Sequence, residues 1–243
     1  MANDDPLRPH RRVMRKLVYR FLTSILIAMF ILPAWGADKS KDEETLKNAA
    51  TILQGMIDSK NVPPDVLVRA DCVIILPNVK KVGLGIGGSG GRGPMTCRTG
   101  KNFSGKWSAP AMYTVGGASF GLQVGGSSTD FVLLIMSQRG VDAILQGKTK
   151  LGRDATAAAG PSGATSAGTV GGTDVITYGR ASGLFAGMSL GGASLQADDD
   201  ANQRLYGEAM SAKEIVLKDS AKATPGGKVL VSVLDTNVAK HGS

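Results

Sequence analysis

Two serines of the chain lie in the pattern G-x-S-x-G, which positions the nucleophile of many hydrolases. They are Ser89 and Ser119. A serine nucleophile needs a base beside it, normally histidine, and the 243 residues include only His10 and His241, close to the two ends. Because the chain also holds 33 glycines, the pattern is expected by chance, and we predict that the protein is not an enzyme.

The spacing of Gly85, Gly87 and Gly90 satisfies G-x-G-x-x-G, the pattern of a dinucleotide-binding loop. Such a loop must be followed by a helix whose amino terminus meets the pyrophosphate. Residues 91–94, Gly-Arg-Gly-Pro, cannot start one, because glycine costs about 1 kcal/mol and proline about 3 kcal/mol relative to alanine. We therefore interpret the segment as a β-strand with one bare face, which permits close approach by other groups and easy bending.

Cys72 and Cys97 are the only cysteines of the chain. Neither has a cysteine or histidine partner at the spacing of a metal site, so we expect no metal and no cofactor. In an oxidising compartment, two cysteines that flank a glycine-rich segment are typical of a disulfide, which needs Cα atoms about 4.4–6.8 Å apart. Two buried free thiols are the alternative.

Basic residues precede and follow the glycine-rich strand. If adjacent strands of one hairpin gather them onto one rim, the patch attracts anionic head groups by roughly 1 kcal/mol per charge. Ordinary solvated loop charge is the alternative. The candidate lipid-binding residues are Lys80, Lys81, Arg92, Arg98, Lys101 and Lys106.

The start of the chain has the composition of an export signal. A basic stretch precedes an apolar run over residues 21–32, which is shorter than the roughly 20 residues that a membrane-spanning helix needs, and Ala34-Trp35-Gly36 follows as a small-residue cleavage site. We predict a signal peptide over residues 1–36 and a domain over 37–243, located in the periplasm, secreted or peripheral on a membrane. Removing the six basic and two acidic residues of this leader lowers the formal net charge from +8 to +4, too mild a charge to indicate nucleic acid.

Helical spacing and capping patterns place helices at both ends of this domain. Ser40 and Glu43 form a capping box before an amphipathic helix over residues 41–59, Ser211 and Glu214 form a second one, and the acidic residues 198–200 suit another helix start. Between them, residues 72–137 and 175–197 are strand-like, and the continuous apolar run FVLLIMS should be buried on both sides. We expect a single α+β domain with a glycine-rich, mainly antiparallel sandwich or barrel-like β core, flanked by N- and C-terminal amphipathic helices.

Several of these segments occur together in a recognisable order. They are CVIILPNVKKVGLGIGGSGGRGPMTCR, GKWSAPAMYTVGGASFGLQVGG, TDFVLLIMS, LGRDATAAAGPSG, ITYGRASGLFAGMSLGGASL and LYG. The chain thus resembles the SYLF domain over about residues 44–220, and specifically an exported bacterial member. The resemblance implies binding of phosphoinositides or other membrane lipids, actin binding and bundling in fungal members, and no enzymatic activity.

The family motifs map onto residues that suit turns, bulges and strand ends rather than a site. They are Trp107, Ser108 and Pro110; Gly121, Gln123 and Gly125; Asp130; Gly152 and Asp154; Gly160 and Pro161; and Tyr178, Arg180, Gly183, Phe185 and Gly187. The chain departs from the pattern at Ala164, where many members have arginine, which puts phosphate specificity in doubt.

Together these features predict a non-enzymatic lipid-binding domain of the cell envelope that associates with anionic phospholipid or phosphoinositide-like head groups, aided by the helix over residues 41–59. The alternative is a structural or protein-interaction module of the periplasm. Actin is implied by the family alone, and we do not expect it to be a ligand of an exported bacterial protein. No nucleic-acid partner is expected, and the oligomeric state is left open.

Overall fold

The computed structural model describes residues 34–147, 149–151, 157–159, 174–182, 190, 193–218 and 220–241. The chain divides into two compact units, Met1–Ser40 and Lys41–Ser243. Most of the predicted leader lies outside the described residues, as do Gly152, Asp154, Gly160, Pro161, Ala164, Gly183, Phe185 and Gly187. The assignment of the leader therefore stays a prediction.

The described part of the chain contains both helices and strands, so the α+β class is confirmed. The helices are α1 (Ala34–Asp58), α2 (Pro64–Leu67), a 3-10 turn (Lys101–Phe103), α3 (Gln138–Leu145), α4 (Asp199–Tyr206), α5 (Ala212–Leu217) and α6 (Pro225–His241). The strands are β1 (Cys72–Cys97), β2 (Ala111–Ile135), β3 (Thr149–Lys150), β4 (Ala157–Ala159), β5 (Val175–Ser182) and β6 (Ser194–Ala197).

The centre of the sheet is a long ribbon made of β1 and β2. These strands pair antiparallel from Cys72 opposite Ile135 to Met95 opposite Ala111, with register shifts between Leu76 and Val79 and between Leu84 and Ile86. The other edge of β2 pairs antiparallel with β5 and β6, and among the strands of the described residues only β4 joins parallel, beside β5. The prediction of a mainly antiparallel core is thus confirmed. The strand-like region predicted over residues 72–137 consists of these two long strands, which run through the glycine-rich segments without a turn.

Strand β1 curls until its two ends meet. An extended strand of 26 residues would span roughly 85 Å, yet the Cα atoms of Cys72 and Cys97 are 3.9 Å apart. Glycines allow this closure: a Cβ on Gly93 would lie 1.9 Å from the carbonyl oxygen of Ile75, and one on Gly91 would lie 2.8 Å from Cγ2 of Val79. The bare strand face therefore permits close approach, as predicted, and the residues that approach it, Ile75 and Val79, belong to the same strand.

The substitution Gly93→Ala tests this closure. We expect it to lower the free energy of unfolding by about 2–3 kcal/mol, because the carbonyl oxygen of Ile75 is backbone and cannot move aside without bending the strand. The matched control is Gly88→Ala in the same strand, where the new Cβ would lie 3.8 Å from the carbonyl oxygen of Gly117 and should be neutral or slightly stabilising. Equal effects of the two variants in urea unfolding would contradict the closure.

Apolar residues lie on both faces of the sheet. Within FVLLI, Phe131, Leu133 and Ile135 pack in one cluster with residues of α3 and α5, while Val132 and Leu134 pack in a second cluster with residues of α1, α2 and α6. The first five residues of the predicted run FVLLIMS, Phe131 to Ile135, are therefore buried on both sides, whereas Met136 and Ser137 are partly buried. The sheet lies between two helical layers, and its curl agrees with the barrel-like form of the predicted core.

The apolar face of α1 belongs to the second of these clusters. Ala49, Ala50, Leu53, Met56 and Ile57 are each at most 5 % exposed. The predicted amphipathic character of this helix is confirmed, and its purpose in this structure is to cover the sheet together with Leu230 and Leu234 of α6. With these side chains packed against the sheet, the apolar face formed by residues 49–57 does not face a membrane.

One of the two predicted capping boxes is wrong. Helix α1 begins at Ala34, before Ser40, and the Glu43 carboxylate instead accepts hydrogen bonds from the Gly226 backbone N–H (2.6 Å) and the Thr224 hydroxyl (3.2 Å) at the start of α6. The second box is confirmed: the Ser211 hydroxyl accepts from the Glu214 N–H at 3.2 Å, and the Glu214 carboxylate accepts from the Ser211 N–H at 3.0 Å. The hydrogen bonds from Ser211 lower the pKa of Glu214.

Candidate functional site

The predicted disulfide is present. Cys72 and Cys97 are bonded with a sulfur–sulfur distance of 2.05 Å, and both residues are fully buried. Their Cα separation of 3.9 Å is shorter than the expected window, because the two strand ends lie directly side by side and are also joined by a hydrogen bond from the Arg98 N–H to the Asp71 carbonyl (2.8 Å). The bond thus holds the residues just outside the strand, Asp71 and Arg98, next to one another.

A cleft of about 360 Å³ opens beside this disulfide. Its walls come from the end of α2, the residue before β1, the loop after β1 and the last turns of α6. The lining residues are Val68, Arg69, Ala70, Asp71, Arg98, Asn102, Phe103 and Val238. The disulfide end of the domain therefore combines two guanidinium groups, one carboxylate and apolar side chains in a single concavity.

Arg98 is held firmly in this cleft. Its guanidinium carbon lies 4.8 Å from the ring centroid of Trp107, and its Nη2 donates to the carbonyl oxygen of Val68 at 3.2 Å. Burial lowers the pKa of Arg98, and the carboxylates of Asp235 and Asp71 oppose that shift. Trp107 of the family W-S-x-P motif is therefore the platform for this guanidinium.

Asp71 is the acidic group of the cleft. Burial raises the pKa of Asp71, and the charge of Arg98 opposes that shift. The carboxylate of Asp235, on α6, is influenced in the same way, since burial raises its pKa and Arg98 lowers it. The cleft thus contains charges of both signs, each partly removed from water.

The loop after β1 places further cations at the same end of the domain. Lys101 and Lys106 are exposed, whereas Phe103 between them is only 8 % exposed and anchors the loop in the core. Asn102 and Phe103 have φ values of 55° and 53°, in the left-handed region. The Thr99 N–H donates to the Lys106 carbonyl at 2.8 Å, which closes the base of the loop.

The other predicted lipid-binding residues lie elsewhere. Lys80 and Lys81 pair with Ser128 and Ser127 inside the ribbon. Arg92 forms an ion pair through Nη2 with the buried carboxylate of Asp42 and lies 3.4 Å from Asp198. The structure therefore divides the six predicted cations among three places, and Arg92 is a bridge within the domain.

Sequence reasoning missed Arg69, Asp71 and Asp235. A signal for the first two was present, because Arg69 and Asp71 lie just before Cys72 in the sequence and the bond from Cys72 to Cys97 brings this segment beside Arg98. Asp235 lies far along the chain in α6, and only the packing of that helix brings it within electrostatic reach of Arg98.

The remaining W-S-x-P residues are architectural. The Ser108 hydroxyl accepts from the Cys97 N–H (3.2 Å) and donates to the Ala109 carbonyl (3.0 Å), all within the core. The Pro110 carbonyl accepts from the Tyr206 hydroxyl, and the Pro110 ring lies against Gly227, whose added Cβ would be 3.0 Å from it. These contacts join the start of β2 to α4 and α6.

Two other motif residues secure the first register shift of the ribbon. The Asp130 carboxylate accepts from the Asn78 N–H (2.9 Å) and from Arg180 (3.0 Å), and Asn78 has a positive φ of 56° at the irregular step. Tyr178 is buried beside them in the second cluster, and burial raises its pKa. Gly121, Gln123 and Gly125 lie within β2.

The described residues carry no arrangement suited to nucleophilic catalysis at Ser89. This serine lies in mid-strand, where its hydroxyl donates to the Gly117 carbonyl at 3.4 Å, and no helix follows it. Within the same described ranges, no group of histidine, cysteine and carboxylate residues is arranged to hold a metal ion. None of the helices there is long and apolar enough to cross a membrane.

Fold and site together define an α+β domain with a curled, disulfide-closed antiparallel sheet and a charged cleft at the point of closure. Residues 116–237 match the family described as "Ysc84: Las17-binding protein actin regulator". The chain belongs to this family, whose domain is the SYLF domain that the sequence motifs predicted.

Curated relatives occur in yeast and vertebrates. "Protein YSC84" of Saccharomyces cerevisiae is 32% identical over 219 residues, which cover 84% of this chain and 46% of that protein. "SH3 domain-containing YSC84-like protein 1" of Homo sapiens is 32% identical over 206 residues, covering 80% and 59%. The chain therefore spans about half the length of the curated relatives it matches. No solved structure matches it significantly.

Proposed function

We propose that this protein is a non-enzymatic module of the cell envelope that binds anionic lipid head groups at a membrane surface. The observation that carries the proposal is the cluster of four cations around the cleft at the disulfide end, namely Arg69, Arg98, Lys101 and Lys106. We call this cluster the basic end of the domain.

The geometry of Arg98 suits a phosphate ligand. Arginine presents several N–H donors in a planar fork that matches phosphate oxygens, and it is more weakly hydrated than lysine. Stacking on Trp107 fixes the plane of the guanidinium. The exposed Lys101 and Lys106 add long-range attraction to an anionic surface, roughly 1 kcal/mol for each charge close to the head groups.

The buried state of α1 limits how the domain can bind. Since the apolar face of α1 covers the sheet, the predicted contribution of residues 41–59 to membrane association would require the helix to leave the core. The proposal therefore assigns binding to head-group contacts, and we expect it to weaken steeply with added salt.

A triple variant, Arg69→Gln, Lys101→Gln and Lys106→Gln, tests the basic end. At low salt we expect sedimentation with phosphatidylglycerol vesicles to weaken by on the order of 100-fold, from roughly 1 kcal/mol for each of the three charges. The thermal transition should change little, because exposed charges contribute under about 1 kcal/mol each to folding.

The matched control changes three exposed lysines that do not line the cleft, Lys47, Lys213 and Lys222, to glutamine in the same way. Equal losses in the two triple variants would show attraction by net charge alone and would contradict a defined basic end. A Lys80→Gln, Lys81→Gln variant asks whether the ribbon lysines contribute.

A protein-interaction module is the second candidate function. It is favoured by the family description, which names relatives as binding a protein, Las17, and as actin regulators. If the wild-type protein ignores both anionic and zwitterionic vesicles at low salt, the lipid proposal fails and this second candidate takes its place.

A further inference from the structure

We propose that the cleft beside the disulfide binds a small zwitterion that carries a phosphate and an ammonium group, of the phosphoethanolamine type. The inference deepens the proposed function by naming the head group, and its first test uses soluble ligands so that it can fail or succeed independently of vesicle binding. The carrying observation is the juxtaposition of the Arg98 guanidinium and the Asp71 carboxylate in one concavity.

Arg98 retains most of its donors for a ligand. Of its five N–H groups, the described structure uses Nη2 in a hydrogen bond to the Val68 carbonyl, and the ring face of Trp107 covers one side of the plane. Arg69 lines the same cleft, and its Nε donates to the Asp65 carbonyl at 3.2 Å. The guanidinium groups of Arg69 and Arg98 can therefore donate hydrogen bonds to the oxygens of one phosphate.

Asp71 supplies the opposite charge. Within the described residues its carboxylate has no hydrogen-bond partner, although it lines the cleft and is partly buried. Burial outweighs the attraction of Arg98 on this group, as the raised pKa of Asp71 shows. A ligand ammonium would supply the donors that the carboxylate lacks, and the Asp235 carboxylate of α6, electrostatically linked to Arg98, adds to the attraction for that ammonium.

The charge pattern discriminates against a simple anion. A phosphate without an ammonium would pair with Arg98 but would bring its negative charge close to Asp71 and leave that carboxylate without donors, which costs affinity. A two-carbon linker keeps the phosphate and ammonium of phosphoethanolamine close enough for Arg98 to bind the phosphate while Asp71 binds the ammonium. The side chains of Val68, Ala70, Phe103 and Val238 give the cleft an apolar wall, and its volume of about 360 Å³ suits a small ligand.

The test titrates the full protein with soluble glycerophosphoethanolamine and with glycerol phosphate by calorimetry. We expect at least about a tenfold preference for the zwitterion, the factor that one charge-assisted hydrogen bond supplies. The Asp71→Asn variant should lose this preference while it still binds glycerol phosphate. The control Glu44→Gln, an exposed acid of α1, should keep the preference, and thermal unfolding verifies that both variants are folded.

Two results would overturn the inference: no preference for the zwitterion in the wild type, or an unchanged preference in Asp71→Asn. Vesicles of equal phosphatidylglycerol content, with and without phosphatidylethanolamine, distinguish a lipid head group from a free metabolite as the source. Binding to both vesicles without a soluble preference would leave the proposed function standing and reject the zwitterion. A preference for the soluble zwitterion without any vesicle binding would support the zwitterion site and reject the proposed function.

Discussion

Replacement of Asp42 by alanine is expected to lower the free energy of unfolding by about 3 kcal/mol. The Asp42 carboxylate is fully buried and contacts Arg92 together with Nε (2.8 Å) and Nη2 (3.4 Å) of Arg204. Removing the Asp42 carboxylate leaves the guanidinium groups of Arg92 and Arg204 facing each other without the acid that pairs with both. Since their side chains are 36% and 21% exposed, water relieves part of the cost, which places the effect at the lower end for a broken buried ion pair.

This ion cluster joins three elements that are distant in the sequence. Asp42 belongs to α1, Arg92 to β1 and Arg204 to α4, and Asp198 at the start of α4 lies 3.4 Å from Arg92. The loss should therefore appear as a lower urea midpoint with an unchanged slope, since the whole unit unfolds together.

The control for Asp42→Ala is Asp200→Ala, an exposed acid in the first turn of α4. It should change stability by no more than about 0.5 kcal/mol. An effect of Asp42→Ala as small as that of the control would show that the cluster contributes no net stability. The variant Arg92→Gln should also destabilise, which separates this arginine from the exposed lysines of the basic end.

Reduction of the Cys72–Cys97 disulfide is expected to lower the free energy of unfolding by about 3–4 kcal/mol and the Tm by roughly 10 °C. The bond spans a sequence separation of 25 residues, and closing a loop of this size removes much of its freedom from the unfolded chain. The loop is rich in glycine, which has the most backbone freedom to lose on folding. The bond also fixes the closure, where the two ends of β1 meet.

The measurement compares unfolding with and without a reductant. The double variant Cys72→Ala, Cys97→Ala is the control, because its transition should already be low and should not respond to the reductant. Two thiols that alkylate after unfolding without a reductant would contradict the disulfide. A reduced protein with the same Tm as the oxidised one would show that packing alone is enough to keep the ends of β1 together.

The periodic parts of the fold could be predicted because the signal is local. The two-sided burial of FVLLI follows from a continuous apolar run, and the helical spacing of Leu46, Leu53 and Met56 predicts α1. The pairing of Cys72 with Cys97 follows from there being two cysteines and an expected oxidising environment. The same reasoning failed for Glu43, since a carboxylate can cap its own helix or another one, and sequence spacing does not distinguish the two.

The candidate site could be predicted only in part. Arg98, Lys101 and Lys106 lie close together in the sequence and remain at one end of the domain in the structure, because one short loop carries them. Arg92 has the same charge and a similar setting in the sequence, yet it is bound to Asp42. Whether a cation faces solvent or a buried acid depends on which distant element packs over it.

The sequence by itself determined the α+β class, the glycine-rich antiparallel strands, the one pair of cysteines available for a disulfide and the family, since each rests on composition, periodicity or motif order along the chain. The tertiary structure alone decided that β1 closes on itself at Gly93, that Arg92 and Arg204 share Asp42, and that Arg69, Asp71 and Arg98 form one cleft. The physical reason is that burial and charge pairing between distant residues depend on the bending of the long ribbon, and that bending is set by long-range packing rather than by local sequence.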